Sequence, residues 1–201
     1  MIKLVTGSTG TNHITAADDG GLYAALAGGA GGLVVFDIGS KFAATMTDAT
    51  NVRIGDGEGL IDGRHFRIEP STAHALSMSA GVSGYNRKDL IVLHYVNSGG
   101  LESLALEVLE GTFSGDTAID PSYTSGSILS GSTEVIVPMY RLTRNGINLP
   151  TIEPLFTPYN PADKTPADHT HKEFKNNLNI TGNLTVSGTI TCDKVIGAVF
   201  A

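Results

Sequence analysis

The stretch Asp89-Leu-Ile-Val-Leu-His-Tyr-Val96 is an apolar run of strand length, and the turn residues Asn97-Ser98-Gly99-Gly100 follow it directly. Residues 101–110 contain good helix formers, but their apolar positions alternate, as they do in a strand. The turn before them favours a hairpin with the 89–96 run. We therefore predict an antiparallel pair of strands here and a mainly β fold for the chain.

Strand patterns recur on both sides of this hairpin. Residues 51–54 and 64–68 alternate between apolar and polar side chains, and the stretch 55–63 between them is rich in glycine and acidic residues. Because the acidic residues lack the spacing of a calcium-binding loop, we predict a glycine-rich turn between two strands. Asn145-Gly146, between apolar runs, predicts a further hairpin.

One short helix is expected within residues 15–27. Thr15 is a candidate N-cap, acidic residues occupy the first turn, and Gly28-Gly29 provides a stop. Gly20-Gly21 lowers the helix propensity of the segment, so we expect the helix to begin near Asp18 or Asp19.

Proline content divides the chain. Five of the eight prolines fall between Pro150 and Pro166, where they exclude a helix or a central strand and predict a semi-rigid extended connector. The sequence thus predicts an N-terminal β-rich docking domain over residues 1–149, a linker over 150–175 and a separate tail over 176–201.

The tail repeats with a period of six, over residues 177–182, 183–188 and 189–194. Positions two and four of each unit are apolar or small, and Gly182 and Gly188 end the first two units. Such short strands cannot close a core alone, so burial against copies of the same chain is expected. An intertwined trimeric β-prism or β-helix fibre fits this pattern best.

His169-Thr170-His171 lies in the predicted linker, close to the tail. In an extended chain both imidazoles point to the same side. Three chains around an axis would supply six nitrogens, a set suited to an octahedral transition-metal ion. The alternative, two solvated linker histidines, stays open.

Composition and motifs exclude several classes of protein. The net charge of −7 argues against nucleic-acid binding, and no apolar run reaches the ~18 residues of a membrane span. The glycine clusters do not form a phosphate loop, and no Gly-x-Ser-x-Gly elbow or paired acid and base is present. The one cysteine, Cys192, occupies an apolar repeat position. We expect no enzyme activity.

Several segments resemble the tail-fibre and baseplate proteins of prophages of Gram-positive bacteria. The resemblance covers about residues 5–155. It rests on His13-Ile-Thr-Ala-Ala-Asp-Asp-Gly-Gly-Leu-Tyr23, Val52-Arg-Ile-Gly-Asp-Gly57, Gly63-Arg-His-Phe-Arg-Ile68 and Gly84-Tyr-Asn-Arg-Lys-Asp-Leu-Ile-Val92. The tail is similar to the shaft or tip repeats of such proteins, and the His-x-His element is similar to the metal-binding pairs of trimeric phage fibres and spikes.

The resemblance implies a homotrimeric virion component, made in the host cytoplasm and located at the tail baseplate of a phage or of a related contractile injection particle. It implies iron as the favoured metal on the three-fold axis, held by His169 and His171. With about four repeat units before Ala201, the chain is expected to lack a host-recognition head of ordinary size. It is therefore expected to be a short fibre or a carrier for a separate receptor-binding tip protein. An alternative function is a carbohydrate-binding adhesin that recognises cell-surface glycans.

Overall fold

The fold is mainly β, as predicted. The computed structural model describes residues 14–27 and 32–159, which lie in the first of two compact units, residues 1–161 and 162–201. Its elements are α1 (Ala16–Leu26), β1 (Leu33–Val35), β2 (Ala44–Met46), β3 (Asn51–Ile61), β4 (Arg64–Ser77), β5 (Asn86–Ser98), β6 (Leu101–Leu109), β7 (Glu134–Asn145) and β8 (Thr151–Pro154).

The first antiparallel sheet is built around β3. Strand β4 pairs with β3 along one side, from Asn51↔Ser77 to Ile61↔Arg64. On the other side β1 pairs with the end of β3 and β2 with its beginning. Strand β3 therefore lies in the interior of its sheet, which fits its alternating buried side chains.

The second antiparallel sheet has the order β6-β5-β7-β8. The predicted hairpin between β5 and β6 is confirmed, with Ser98 opposite Leu101 and positive φ angles at Gly99 and Gly100. The hairpin predicted at Asn145-Gly146 also forms, but its loop is longer than a two-residue turn, because the pairing of β7 with β8 begins at Thr143↔Thr151.

The hydrophobic core draws on both sheets. Val52 and Ile54 of β3 belong to the same buried cluster as Ile91 and Leu93 of β5. A hydrogen bond also links the second sheet to the loop between β1 and β2, since the Tyr140 hydroxyl donates to the carbonyl of Phe42 at 2.7 Å. Burial raises the pKa of Tyr140 to about 12.

The glycine-rich turn predicted for residues 55–63 is wrong: β3 continues through Gly55, Gly57 and Gly59, and the turn is only Asp62-Gly63. A Cβ on Gly57 would lie 2.8 Å from a backbone nitrogen, and one on Gly59 would lie 2.8 Å from a backbone oxygen. The glycines therefore allow neighbouring backbone to approach β3 closely. The Asp56 carboxylate accepts the amides of Ser71 and Ser40, both at 3.0 Å, which lowers its pKa.

Two further predictions can be compared with the structure near the ends of the described part of the chain. The helix begins at Ala16 rather than near Asp18, because a complete capping box on Thr15 stabilises its first turn. The first residues of the expected connector form β8, an edge strand, where Pro154 needs no amide partner. The rest of the linker from residue 160 and the whole repeat tail lie outside the described residues.

Candidate functional site

The two histidines that the sequence singles out, His169 and His171, lie outside the described residues, as does Cys192. Within residues 14–27 and 32–159, no group of three or more His, Cys, Asp or Glu side chains is placed to hold a metal ion. The metal site in the linker therefore stays a prediction.

Two of the described histidines make surface contacts. His94 of β5 lies 3.2 Å from Glu107 of β6 and 3.1 Å from Glu134 of β7, and both carboxylates are exposed. His65 of β4 similarly contacts Glu58 of β3. These are cross-strand pairs of a kind that contributes little to stability.

Helix α1 docks on the turn between β3 and β4 through glycine. Gly20 and Ala24, one helical turn apart, are its buried residues. A Cβ on Gly63 would lie 1.9 Å from the Gly20 carbonyl oxygen, so only glycine allows this backbone contact. The Arg64 guanidinium holds the helix start, because it donates to the carbonyl of Ala16 at 2.9 Å.

Arg64 also joins this docking site to the second sheet. Its Nε and Nη2 each donate to the carboxylate of Glu102 at 2.8 Å, in a bidentate pair beside the β5–β6 turn. The hydrogen bonds from Arg64 lower the pKa of Glu102. The helix is therefore fixed to a rigid end of the fold.

The outward side of α1 is apolar and exposed in its C-terminal half. Leu22 and Leu26 lie roughly opposite the buried pair Gly20 and Ala24, since successive residues turn by about 100°. Leu26 is 70% exposed, and Tyr23 on the flank is nearly half exposed. We call Leu22, Tyr23 and Leu26 the helix patch. Its signal in the sequence is the presence of apolar residues on both sides of a short helix.

A groove of about 380 Å³ continues the helix patch onto the first sheet, where Phe36, Leu60 and Tyr159 line it. The last described residue is anchored there. The Tyr159 amide donates to the carbonyl of Val35 at 2.6 Å, and its carbonyl accepts the Asp37 amide at 3.2 Å. The chain thus passes into the linker from the edge of this apolar surface.

A second exposed feature is a small pocket of about 230 Å³ on the second sheet, lined in part by Asp120, Tyr123 and Arg141. Arg141 Nη2 donates to Asp120 at 2.6 Å, and its Nη1 donates to Glu153 at 2.7 Å. The hydrogen bonds from Arg141 lower the pKa of Asp120. The ring of Tyr123 is partly exposed beside these charges.

Charged side chains are also buried, at the end of the second sheet away from α1. Arg87 of β5 and Arg144 of β7 face each other, and each is 1% exposed. Arg87 Nη2 donates to buried Asp89 at 3.0 Å, and its Nη1 lies 3.3 Å from Glu110. The period of two indicates this burial, because Arg87 and Asp89 share a face with the core residue Ile91.

Arg144 differs from Arg87 in its partners. Its three guanidinium nitrogens are buried and make no hydrogen bond within the described part of the chain. Burial, followed by the like charge of Arg87, lowers the pKa of Arg144. The carboxylates of Asp89 and Glu110 are already used by Arg87 and by backbone amides, at 2.9 Å from Gly111 in the case of Asp89.

A larger cavity, of about 560 Å³, opens between the edge strands β4 and β6. Phe42 and Leu93 of the core line it, together with the polar residues Arg67 and His74. Arg67 is paired with Glu69 at 2.7 Å. The cavity therefore continues the apolar core toward the open side of the two sheets.

No helix in the described ranges is long and apolar enough to cross a membrane. Compared with protein-family models and with curated proteins, the chain gives no match.

Proposed function

We propose that this chain is a structural component of a phage tail or a related contractile injection particle. It acts as a homotrimeric tail-fibre or baseplate protein that attaches to the tail baseplate and takes part in host attachment. The observation that carries the proposal is the helix patch, an exposed apolar surface next to Tyr159. Exposed contiguous apolar surface of this kind is typical of protein–protein contact sites.

In this proposal the N-terminal domain and the tail have separate roles. The rigid N-terminal domain docks on other baseplate proteins, and the repeat tail associates with two further copies. The tail either contacts the receptor itself or carries a separate tip protein.

The trimer is tested by its mass in solution. The full chain should run as a trimer in light scattering, and a chain ending at Asn160 should lose most of that association. A monomeric full-length chain would refute the proposal.

The metal is part of the same proposal: His169 and His171 from three chains would hold one transition-metal ion, with iron favoured. Three pairs supply the six nitrogen ligands of an octahedral site. Replacing both histidines with Ala should remove the metal and lower fibre stability. Elemental analysis of freshly purified trimer checks this, and a metal-free trimer would rule the site out.

The second candidate function is a carbohydrate-binding adhesin, which the Tyr123 pocket favours. Glycan sites combine an aromatic face with carboxylate and guanidinium groups, and Tyr123, Asp120 and Arg141 offer these together. Glycan-array binding by the full chain that disappears in Tyr123→Ala would support this function. Equal binding by Tyr85→Ala, a second exposed tyrosine outside the pocket, serves as the control.

A further inference from the structure

We propose that the helix patch is a contact between copies of this chain, so that the α1 helices of three chains meet near the three-fold axis. This inference rests on the proposed trimer and names the surface through which its N-terminal domains touch. It concerns Leu22, Tyr23 and Leu26, with the groove that Phe36 and Tyr159 line.

The first argument is the distribution of apolar residues around α1. Gly20 and Ala24 bury one side against the β3–β4 turn, while Leu22 and Leu26 expose the other. A helix that is apolar on both sides is normally buried on both. Leucines at i and i+4 form the kind of ridge that packs against an equivalent ridge on a neighbouring helix.

The charges nearby limit where the contact can lie. Asp19 is on the same outward side as Leu22, one turn closer to the helix N-terminus. Three carboxylates brought together near an axis would repel one another. The contact is therefore made by the C-terminal half of α1, where Leu26 has no charged neighbour along the helix.

The second argument is the size of the patch compared with what a partner needs. Three side chains and a groove offer on the order of a few hundred Å², whereas a stable contact between free proteins buries about 800 Å² on each partner. A separate protein would therefore need additional surface. Copies of the same chain would not, because the tail tethers them.

The tether makes a weak contact sufficient. Tyr159, the last described residue, is anchored at the edge of the groove, so the patch lies beside the point from which the chain continues toward the tail. In the proposed trimer the tails join the copies, and short tethers that can span two sites give effective concentrations in the millimolar range. A contact with a Kd of about 1 mM is then occupied about half of the time, although it would be undetectable between untethered domains.

Disulfide trapping in the full chain tests the inference. Leu26→Cys is introduced together with Cys192→Ser, and the purified protein is oxidised with glutathione disulfide. If the three helices meet, two of the three chains in each trimer become a covalent dimer on a denaturing gel. Leu22→Cys, one turn earlier, is a second probe and should also cross-link.

The matched control is Ile147→Cys in the same Cys192→Ser background. Ile147 is 68% exposed, close to the 70% of Leu26, but lies beyond the end of β5 that is opposite the helix. Dimer yields at Leu26 and Leu22 that do not exceed the yield at Ile147 would overturn the inference.

Light scattering separates the two possible failures. A trimeric mass without cross-linking at α1 leaves the proposed function intact and means that the patch faces a different protein. A monomeric mass removes the proposed trimer itself, and the inference with it.

Discussion

Replacing Arg144 and Arg87 separately with Met should have very different effects on stability, although the two residues are alike in every simple respect. Both are arginines, both are 1% exposed, and they are paired across β5 and β7. The difference lies in their partners. Arg87 neutralises buried Asp89, whereas Arg144 makes no hydrogen bond within the described residues.

The size of each effect follows from what the substitution leaves behind. Without Arg87, the fully buried Asp89 loses its hydrogen-bonded ion pair and retains, among the described residues, the Gly111 amide at 2.9 Å and the charge of Arg144 nearby. Removing one partner of a buried ion pair costs about 3–5 kcal/mol. Arg87→Met also removes the stacking of its guanidinium on Phe113, 4.7 Å from the ring centre. The five N–H donors of Arg144 find no acceptor among the described residues. Replacing Arg144 therefore removes the desolvation penalty of its buried guanidinium as well as the attraction of that group to the nearby carboxylates.

We therefore expect Arg144→Met to change the free energy of unfolding by no more than about 1 kcal/mol in the destabilising direction, and Arg87→Met to lower it by about 3 kcal/mol or more. For a domain of this size, a 3 kcal/mol difference corresponds to roughly 10 °C in Tm. The chain contains no Trp, so urea unfolding of a chain ending at Asn160 is best followed by circular dichroism. Equal losses in the two variants would refute the reasoning and reveal an acceptor bound to Arg144.

Two further predictions concern single contacts. Because the pKa of Tyr140 is raised to about 12, the folded state holds this proton more tightly than the unfolded chain; the resulting stability is complete below pH 10 and is lost as the pH rises through 12. Tyr140→Phe should lower the free energy of unfolding by about 1 kcal/mol at pH 7, because the hydrogen bond to Phe42 is lost. It should also flatten the loss of stability between pH 10 and 12, which alkaline titration followed by circular dichroism measures. An unchanged loss of stability over this range would contradict the prediction. Gly21→Ala should stabilise α1 by up to about 1 kcal/mol, since its Cβ meets open space. Gly20→Ala should not stabilise the helix, because its Cβ would lie 2.3 Å from Arg64 Nη1. Equal shifts in the thermal midpoint of the two variants would be inconsistent with the docking of α1 through Gly20.

The regular parts of the fold were predictable because each has a local cause. The turn at Gly99-Gly100 and the alternation in residues 101–110 are enough to define the β5–β6 hairpin. The capping sequence of α1 is equally local. The two glycines suggest a later start of the helix, but the complete capping box on Thr15 outweighs them.

What sequence reasoning missed depends on contacts between distant residues. Gly57 and Gly59 look like turn residues in sequence, but they lie within a strand because other backbone passes within a few Å of them. The spacing of Arg87 and Ile91 indicates that Arg87 faces the core, but the bond that it donates to the distant Ser79 carbonyl could not be predicted. For the candidate site, the helix could be predicted, but the position of Tyr159 beside it could not.

Contacts between distant residues also explain how helix α1, whose sequence has a low helix propensity, presents the proposed interface. An isolated helix of eleven residues with two glycines is unstable in water. Helix α1 therefore persists because Gly20 and Gly63 let its backbone sit directly on the β3–β4 turn. That docking directs Gly20 and Ala24 inward, so Leu22 and Leu26 must point outward. The glycine that weakens the helix in sequence is thus the residue that fixes the orientation of the helix patch. A neighbouring chain that covered Leu26 would in turn stabilise the docked helix, because it would bind only the folded form.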